Sequence, residues 1–362
     1  MEGIGWYCHE LVSRMVKNHP EHDFYFFFDR PFDKDFIYAD NVHPVVLIPP
    51  ARHVFLIAYW FDVSLRRALK KLDADVFFSP DSISLNRPVC KTIVTLHDVN
   101  FITNPDNFGF LLRRFYARRT PILTEKSDKI LTVSEHSSKE IQRLLQVHEN
   151  KIRVIYNACR SGFEPVSDAI KAKIKSEYTD GKDYFVFVGG LYHRKNLLRL
   201  VQAFELFKDK SGSDIKLVII GRKVGEADDL IERIENSRFK TDIVLTGRIS
   251  EDGLVKKILA SALALTYVSV LEGFGMPMVE AMKSGLPILA SNTSSMPEIG
   301  GNAAIYADPY NVEDIALKMN ELYSSESLRK ELIKNAAIQG QKFDWDKSAA
   351  ELWKVIEELT SG

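Results

Sequence analysis

This chain of 362 residues has few cysteines, no long apolar run and almost no net charge. Its three cysteines, Cys8, Cys90 and Cys159, are odd in number, widely spaced and in no Cys/His cluster. We therefore expect neither a disulfide framework nor a zinc site, and a reducing cytosol is the natural compartment.

No segment reaches the roughly 18 apolar residues that cross a bilayer, and no signal peptide opens the sequence. The longest apolar run, residues 54–61, favours packing in a core or between domains over contact with lipid. Lys and Arg total 48 against 49 for Asp and Glu, so the composition gives no attraction toward nucleic acid. The length and a hydrophobic content of 45% suit a globular protein of two domains.

Short runs rich in Val, Ile and Phe alternate with longer helical patterns along the chain. Runs without polar alternation suit strands buried on both faces, and strands that alternate with helices predict parallel sheets. The pattern occurs twice, which predicts two doubly wound α/β domains with a boundary in 157–165. The predicted strands are 24–28, 45–48, 76–79, 92–96, 129–133, 153–155, 184–188, 216–220, 242–245, 264–267 and 287–290.

The most informative stretch is Ser-Val-Leu-Glu-Gly-Phe-Gly-Met-Pro-Met-Val-Glu-Ala-Met, which begins at residue 269. Because Pro is favoured at the first helical position, a helix is predicted to begin near Pro277. Glu272 then lies on the preceding loop, and Glu280 lies about one turn inside the helix. Gly273 and Gly275 let backbone N–H groups approach an anion, while carboxylates accept hydrogen bonds from hydroxyls. The segment predicts a sugar-nucleotide cradle; the alternative is a strand end followed by a solvated helix.

This stretch resembles the E-x7-E motif of the retaining glycosyltransferases of family 4, which have the two-domain GT-B fold. In that family the second acid holds the nucleotide ribose and the first faces the donor sugar. The resemblance assigns these roles to Glu280 and to a catalytic Glu272. It also implies donor contacts from the residues between them: Gly273, Phe274, Gly275, Met276 and Pro277.

A glycine turn between a strand and a helix over about 196–208 is a second signal. Its cations His193, Arg194 and Lys195 oppose the dipole of that helix by roughly 0.3–1 kcal/mol each. Their placement predicts a negative partner such as a diphosphate; a solvated basic turn is the alternative. The resemblance implies that Lys195 touches the donor diphosphate. The family's Arg often directly follows the first glycine of the turn, where this chain has Gly190, so Arg194 is the candidate substitute.

Polar residues follow other predicted strands, where ligands gather in parallel sheets. A lone histidine is usually structural, but the resemblance implies a catalytic His97 near the donor sugar. The adjacent Asp98 orients it or caps the next turn. The resemblance also implies that Arg248 lies beside the nucleotide base and Arg222 near the phosphates, with surface salt bridges as the alternative.

The start of the chain departs from the family pattern. Gly3-Ile-Gly5-Trp-Tyr looks like the glycine loop that follows the family's first strand, so Gly5 is a candidate donor contact. No strand precedes this loop, and we expect the native first strand to be missing. The same region mimics a dinucleotide fingerprint with a downstream acid at Asp29, although Cys8 takes the third glycine's place. An NAD-dependent oxidoreductase is therefore one alternative.

A basic amphipathic stretch carries Arg113, Arg114, Arg118 and Arg119 among apolar residues. Such a helix can rest on anionic lipid, where many acceptors of the family reside; a solvated helix face is the alternative. The sequence is therefore compatible with a cytoplasmic protein, with or without peripheral contact at the inner face of the membrane.

Together with the resemblance, the sequence predicts an α/β protein of GT-B fold, with two doubly wound parallel-sheet (Rossmann-like) domains facing a cleft. The predicted parts are an acceptor-side domain over 1–158, a sugar-nucleotide-binding domain over 159–344 and a helix over 345–362 that crosses back. The implied activity is retaining transfer of a hexose, with mannose one candidate, to a glycan or glycolipid acceptor. The donor is GDP-mannose or a UDP-sugar, and no cofactor or metal is expected. A non-catalytic sugar-nucleotide-binding protein is the second alternative.

Overall fold

The computed structural model describes residues 3–105, 109–223 and 228–361. The chain forms two compact units, Met1–Asn157 together with Asp344–Gly362, and Ala158–Phe343. Strands in both units pair in parallel and alternate with helices along the chain. This confirms the predicted α/β fold class with two parallel-sheet domains.

The N-terminal unit contains two parallel sheets, β1-β2 and β3-β4-β5-β6 in that order. Its strands are β1 (Phe24–Phe28), β2 (Val42–Val46), β3 (Val76–Ser79), β4 (Lys91–Thr95), β5 (Lys129–Thr132) and β6 (Ile152–Val154). Its first helices are α1 (Gly3–Asn18), α2 (Val54–Tyr59), α3 (Arg66–Leu72), α4 (Asn100–Thr103), α5 (Phe110–Lys126) and α6 (Glu135–Leu145). The core lies around β4 and β5, whose apolar residues are fully buried.

The second unit is built on one parallel sheet in the order β12-β11-β10-β7-β8-β9. Its strands are β7 (Tyr184–Val188), β8 (Lys216–Ile220), β9 (Ile243–Gly247), β10 (Ala264–Tyr267), β11 (Ile288–Ser291) and β12 (Ala304–Ala307). Its helices are α7 (Asp168–Thr179), α8 (Leu197–Ser211), α9 (Asp228–Glu235), α10 (Asp252–Ser261), α11 (Met276–Lys283), α12 (Met296–Gly300), α13 (Val312–Ser324) and α14 (Glu326–Gln339). The winding reverses between β7 and β10, which defines the topological switch point of the sheet.

The final helix, α15 (Trp345–Thr360), belongs to the N-terminal unit and packs against α1. The Asp344 carboxylate caps its start by accepting from two backbone N–H groups. Arg14 on α1 donates from Nε to the Asp346 carboxylate at 2.7 Å. Ser348 donates from Oγ to the carbonyl of Tyr156 at 2.7 Å. The C-terminal helix is thus fixed to both the first helix and the end of the first half of the chain.

Most predicted strands have the observed bounds or differ by one or two residues at an end, but the bounds of one strand were wrong and one strand was missed. β2 begins at Val42 rather than at 45, because Pro44 lies within the strand instead of before it. Proline is tolerated there because β2 forms the edge of a two-stranded sheet. β12 was not predicted at all, since its four residues carry only a weak apolar pattern.

The prediction of a glycine loop near the N-terminus is also wrong. Residues from Gly3 onward form α1, and Gly5 lies in its first turn. Tyr7 and Leu11 point into the core, which gives the segment the periodic burial of a helix.

The apolar run 54–61 is only partly packed, contrary to the expectation from its composition. Trp60 is buried, but the side chain of Phe55 is 77% exposed. One arginine of the basic helix α5 is buried, although the sequence suggested that it belongs to an exposed basic face. Arg119 is buried and paired with Asp62 at 2.7 Å, so it takes no part in a basic surface.

Candidate functional site

The loops that follow β7 and β10 leave neighbouring strands on the two sides of the switch point. β7 continues into the basic turn His193–Lys195, and β10 continues into the loop that carries Glu272. Ligands of doubly wound sheets bind at the carboxyl ends of the strands at this point. The two strongest sequence signals therefore meet in one place.

Lys195 is a buried cation at the centre of this site, with 7% of its surface exposed. Its Nζ donates to Oε1 of Glu272 at 2.5 Å and to the phenolic oxygen of Tyr267 at 2.6 Å. A buried ammonium group is unstable unless it is paired and hydrogen-bonded. The carboxylate and the phenol together meet that requirement.

Arg194 completes the cluster from the opposite side of the same carboxylate. Its Nη1 donates to Oε2 of Glu272 at 2.7 Å and to the carbonyl of Leu271 at 2.9 Å. Burial acts to raise the pKa of Glu272, but the charges of Lys195 and Arg194 outweigh it and lower the pKa to about 2. Glu272 is therefore an anion held between two cations.

The basic turn differs from its predicted geometry. His193–Lys195 form a short 3-10 turn, and Asn196, with a φ of 61°, separates that turn from α8. The Asn196 amide donates to the carbonyls of Val268 at 3.0 Å and Pro309 at 2.6 Å. Glu272 is the negative partner that the chain itself supplies for Arg194 and Lys195.

The loop before α11 is held by two serines that precede α12. Ser294 accepts the backbone N–H of Glu272 at 3.1 Å. Ser295 donates to the carbonyls of Glu272 at 3.0 Å and Phe274 at 2.8 Å. Gly275 has a φ of 110°, a conformation that favours glycine, and α11 begins directly after it. This confirms the predicted helix start near Pro277.

Glu280 lies on α11, is 6% exposed and also forms an ion pair. Its Oε1 accepts from Nη2 of Arg160 at 3.1 Å, and Nη1 of Arg160 donates to Asp252 at 2.8 Å. Burial raises the pKa of Glu280, and the charge of Arg160 acts in the opposite direction. Both glutamates of the E-x7-E motif are thus buried in charged clusters rather than in apolar packing.

Arg222 and Arg248 are exposed residues at the ends of β8 and β9. The backbone N–H of Gly221 donates to the carbonyl of Gly247 at 3.0 Å, which joins the two strand ends. A Cβ at Gly221 would lie 1.8 Å from the carbonyl oxygen of Gly189, so only glycine permits this close approach to the end of β7. Both arginines therefore follow strands on the same edge of the sheet as the Lys195 cluster.

His97 and Gly5 belong to the N-terminal unit. The Nε2 of His97 donates to the carbonyl of Pro80 at 2.9 Å, and burial lowers the pKa of its imidazole. The neutral ring then has Nδ1 as an acceptor. Tyr7 on α1 packs its ring edge against His97 at 4.7 Å and shares a 3.1 Å hydrogen bond with Thr95. The helix that carries Gly5 is thus fixed to the end of β4.

Three residues of the site were missed in the sequence: Tyr267, Asn196 and Arg160. Tyr267 is the last residue of β10, so its position at the end of a strand was an available signal. Asn196 follows the basic turn directly, and its conformation depends on contacts to distant carbonyls. Arg160 lies 120 residues from its partner Glu280, and no local pattern reveals that contact.

Across residues 3–105, 109–223 and 228–361, no three His, Cys, Asp or Glu side chains come together as a set of metal ligands. In the same residues, no helix combines the length and the apolar character needed to cross a membrane.

The doubly wound sheet places the chain among the α/β proteins that bind ligands at the switch point, and this sheet carries a charged cluster there. The profile described as Glycosyltransferase Family 4 matches residues 1–160, and that described as Glycosyl transferases group 1 matches residues 168–339. The chain belongs to this glycosyltransferase family and is a hexosyltransferase. The oxidoreductase and non-catalytic alternatives are not favoured.

Two curated relatives act on O-antigen chains, according to their names. O-antigen chain mannosyltransferase B of Escherichia coli is 26% identical over 362 residues, which cover 97% of this chain and 94% of the relative. O-antigen chain mannosyltransferase RfbU of Salmonella typhimurium is 29% identical over 217 residues, which cover 60% and 56% of the two chains.

Two solved structures share the fold. WaaG, a glycosyltransferase involved in lipopolysaccharide biosynthesis, superposes with a TM-score of 0.76 at 15% identity, covering 100% of this chain and 97% of that one. Anabaena HepE, solved in complex with UDP and glucose, gives a TM-score of 0.74 at 15% identity, covering 97% and 95%. These likenesses confirm the GT-B fold.

Proposed function

We propose that this chain is a retaining, metal-independent mannosyltransferase that uses GDP-mannose and extends a glycan or lipid-linked saccharide of a surface polysaccharide. The names of the O-antigen relatives support the sugar and the class of acceptor. The observation that carries the chemistry is the buried cluster of Lys195, Arg194 and Glu272 at the switch point. It provides two cations at the place where an α/β sheet binds a nucleotide.

In this proposal the donor diphosphate lies against Arg194, Lys195 and the first turn of α11. A helix N-terminus favours negative charge, and the glycines that precede α11 allow close approach of backbone N–H groups. The two cations stabilise the diphosphate as it leaves. Glu272 orients both cations before the donor arrives and then accepts a hydrogen bond from a hydroxyl of the donor sugar.

The nucleoside is proposed to extend from this cluster along the same edge of the sheet. Glu280 accepts hydrogen bonds from the ribose hydroxyls, Arg222 approaches the phosphates, and Arg248 lies beside the base. The remaining donor contacts come from the loop and the start of α11: Gly273, Phe274, Gly275, Met276 and Pro277. Gly5 is retained as a proposed donor contact at the start of α1.

The reaction breaks the bond between the anomeric carbon of mannose and the oxygen of the diphosphate. The bonding electrons move to that oxygen, and the acceptor hydroxyl attacks the anomeric carbon from the face that the diphosphate leaves. A phosphate oxygen of the donor takes the hydroxyl proton. His97 is proposed as a catalytic residue, because its Nδ1 can accept a hydrogen bond from a sugar hydroxyl.

The experiment is a panel of GDP-, UDP- and ADP-sugars offered to the purified chain, first by thermal shift and then with a mannose oligosaccharide as acceptor. A donor that binds the folded protein raises its melting temperature. We expect the largest rise with GDP-mannose, transfer with retained anomeric configuration by NMR, and unchanged transfer in EDTA. Preference for another nucleotide sugar, an inverted product or loss of activity in EDTA contradicts the corresponding part of the proposal.

We further propose that the N-terminal unit contacts an anionic membrane surface, where a lipid-linked acceptor resides. Phe110 and Leu111 on α5 are 70% and 60% exposed, and α2, with the exposed Phe55, packs beside α5. Three exposed arginines of α5 add positive charge next to these apolar side chains: Arg113, Arg114 and Arg118. Apolar and basic residues on one helix suit insertion at the level of anionic headgroups.

Sedimentation with vesicles tests this contact. The wild type should bind phosphatidylglycerol-containing vesicles more than pure phosphatidylcholine vesicles, and F110D/L111D should lose that binding. L317D/I338D, which alters two exposed apolar residues of the second unit, is the matched control and should bind like the wild type. Equal sedimentation of wild type and F110D/L111D contradicts the proposal.

A further inference from the structure

Arg160 holds the buried carboxylate of Glu280 and is itself held in place by the side chains of Asp252 and Phe163. Its Nη1 bonds to Asp252 at 2.8 Å, and its guanidinium lies 5.3 Å from the centre of the Phe163 ring. Lys256 bonds to the other oxygen of Asp252 at 2.6 Å and lies over the same ring at 5.3 Å. The guanidinium is thus fixed by an anion and an aromatic face before it reaches Glu280.

Arg160 contacts only one of the two carboxylate oxygens of Glu280. Oε1 of Glu280 accepts from Nη2 at 3.1 Å, while Oε2 has no hydrogen-bond partner within the described part of the chain. An ionised carboxylate accepts at both oxygens, whereas a protonated one donates at one of them. With the guanidinium on Oε1, Oε2 is left as an acceptor whenever the carboxylate is ionised.

We propose that Arg160 is a positioning residue for the donor ribose. It keeps the Glu280 carboxylate ionised and directs Oε2 toward the ribose hydroxyls, and this inference rests on the proposed function of Glu280. The groups that face Glu280 are Arg160, Asp252 and Lys256, so Arg160 is the cation in direct contact, and Asp252 opposes ionisation. Burial also raises the pKa of the neighbouring Cys159 thiol, so that group adds no charge at neutral pH.

The test measures binding of GDP and of 2′,3′-dideoxy-GDP by calorimetry between about pH 6 and pH 9. Wild type should prefer GDP by about tenfold or more at every pH, because hydrogen bonds to a charged group contribute strongly. R160Q and R160M should lose that preference at low pH and regain part of it as the pH rises, because Glu280 then ionises without a cation. R160M retains packing on Phe163 and serves if R160Q does not fold. R160K should keep most of the preference.

Glu280→Gln separates the two possible failures. If E280Q discriminates GDP from its dideoxy form as the wild type does, the proposed ribose site is wrong. If E280Q loses discrimination while R160Q and R160M keep it at all pH values, Arg160 has no positioning role. An equal weakening of GDP and dideoxy-GDP in the Arg160 variants, with no pH dependence, assigns Arg160 to structure alone and overturns the inference.

Discussion

Nζ of Lys195 lies 2.5 Å from Oε1 of Glu272, and both residues are buried although 77 positions separate them in the chain. The sheet topology brings them together, because they follow the two neighbouring strands at the switch point. A buried ion pair contributes little to net stability, since desolvation of both charges offsets their attraction. Because the pair lies at the switch point, where doubly wound sheets bind ligands, we propose a role for it in donor binding.

Replacing Lys195 with Ala should reduce kcat/KM for transfer by about tenfold or more, or 1.4 kcal/mol of barrier, because a charge that stabilises the leaving diphosphate is lost. Steady-state kinetics with GDP-mannose provides the measurement. Lys208→Ala is the matched control. Like Lys195, Lys208 is a buried lysine with an acidic partner; it lies on α8 and pairs with Asp242 at 2.8 Å. That variant should lose stability but keep its turnover per folded molecule. Wild-type turnover in K195A contradicts the assignment.

Replacing Glu272 with Gln should change how stability depends on pH. Since the folded-state pKa is about 2 against 4.5 for a free glutamate, its ion pairs stabilise the fold fully above pH 4.5 and are lost as the pH falls through 2. Melting temperatures of the wild type should therefore fall more steeply than those of E272Q in that range. At neutral pH, E272Q should be destabilised by about 3–5 kcal/mol, because Lys195 is left buried without its partner.

Parallel melting curves for the wild type and E272Q across the acid range would show that Glu272 is not held as an anion. Transfer by Glu272→Ala at neutral pH gives a second readout. It should fall by about tenfold or more, and wild-type turnover in that variant contradicts the role of Glu272 in the reaction.

Sequence patterns located the loop of Glu272 and the start of α11, because Gly275 and Pro277 have strong local preferences. They also located β7, β8 and β10, whose apolar runs are buried on both faces. Contacts between distant segments have no such local signal. No local pattern shows that Glu272 pairs with Arg194 and Lys195. The same holds for the pairing of Glu280 with Arg160, because the fold brings these distant segments together.

Gly275→Ala should destabilise the second unit and weaken donor binding. A φ of 110° is unfavourable for any residue with a Cβ, and such backbone strain costs about 1–3 kcal/mol. Gly253→Ala is the control, since a Cβ there meets no atom within 4 Å and the residue lies in α10. Thermal unfolding with and without GDP measures both effects. Equal melting temperatures for G275A and G253A contradict the expected strain.

His97→Ala should lower transfer by about tenfold while GDP binding stays within about twofold of the wild type. The proposed nucleotide contacts at Lys195 and Glu280 do not include His97, so its loss should affect the reaction of the sugar rather than the affinity for GDP. Kinetics and calorimetry on the same preparation separate the two effects. Unchanged transfer contradicts a catalytic role for His97.

The most direct test of the central claim compares the affinities of GDP and GMP for wild type and Lys195→Met by calorimetry. If Lys195 binds the diphosphate, wild type should prefer GDP over GMP by about tenfold or more, since a contact between a cation and a phosphate is charge-assisted. The preference should nearly vanish in K195M while GMP affinity stays similar. The same ratio of GDP to GMP affinity in both proteins would contradict the account.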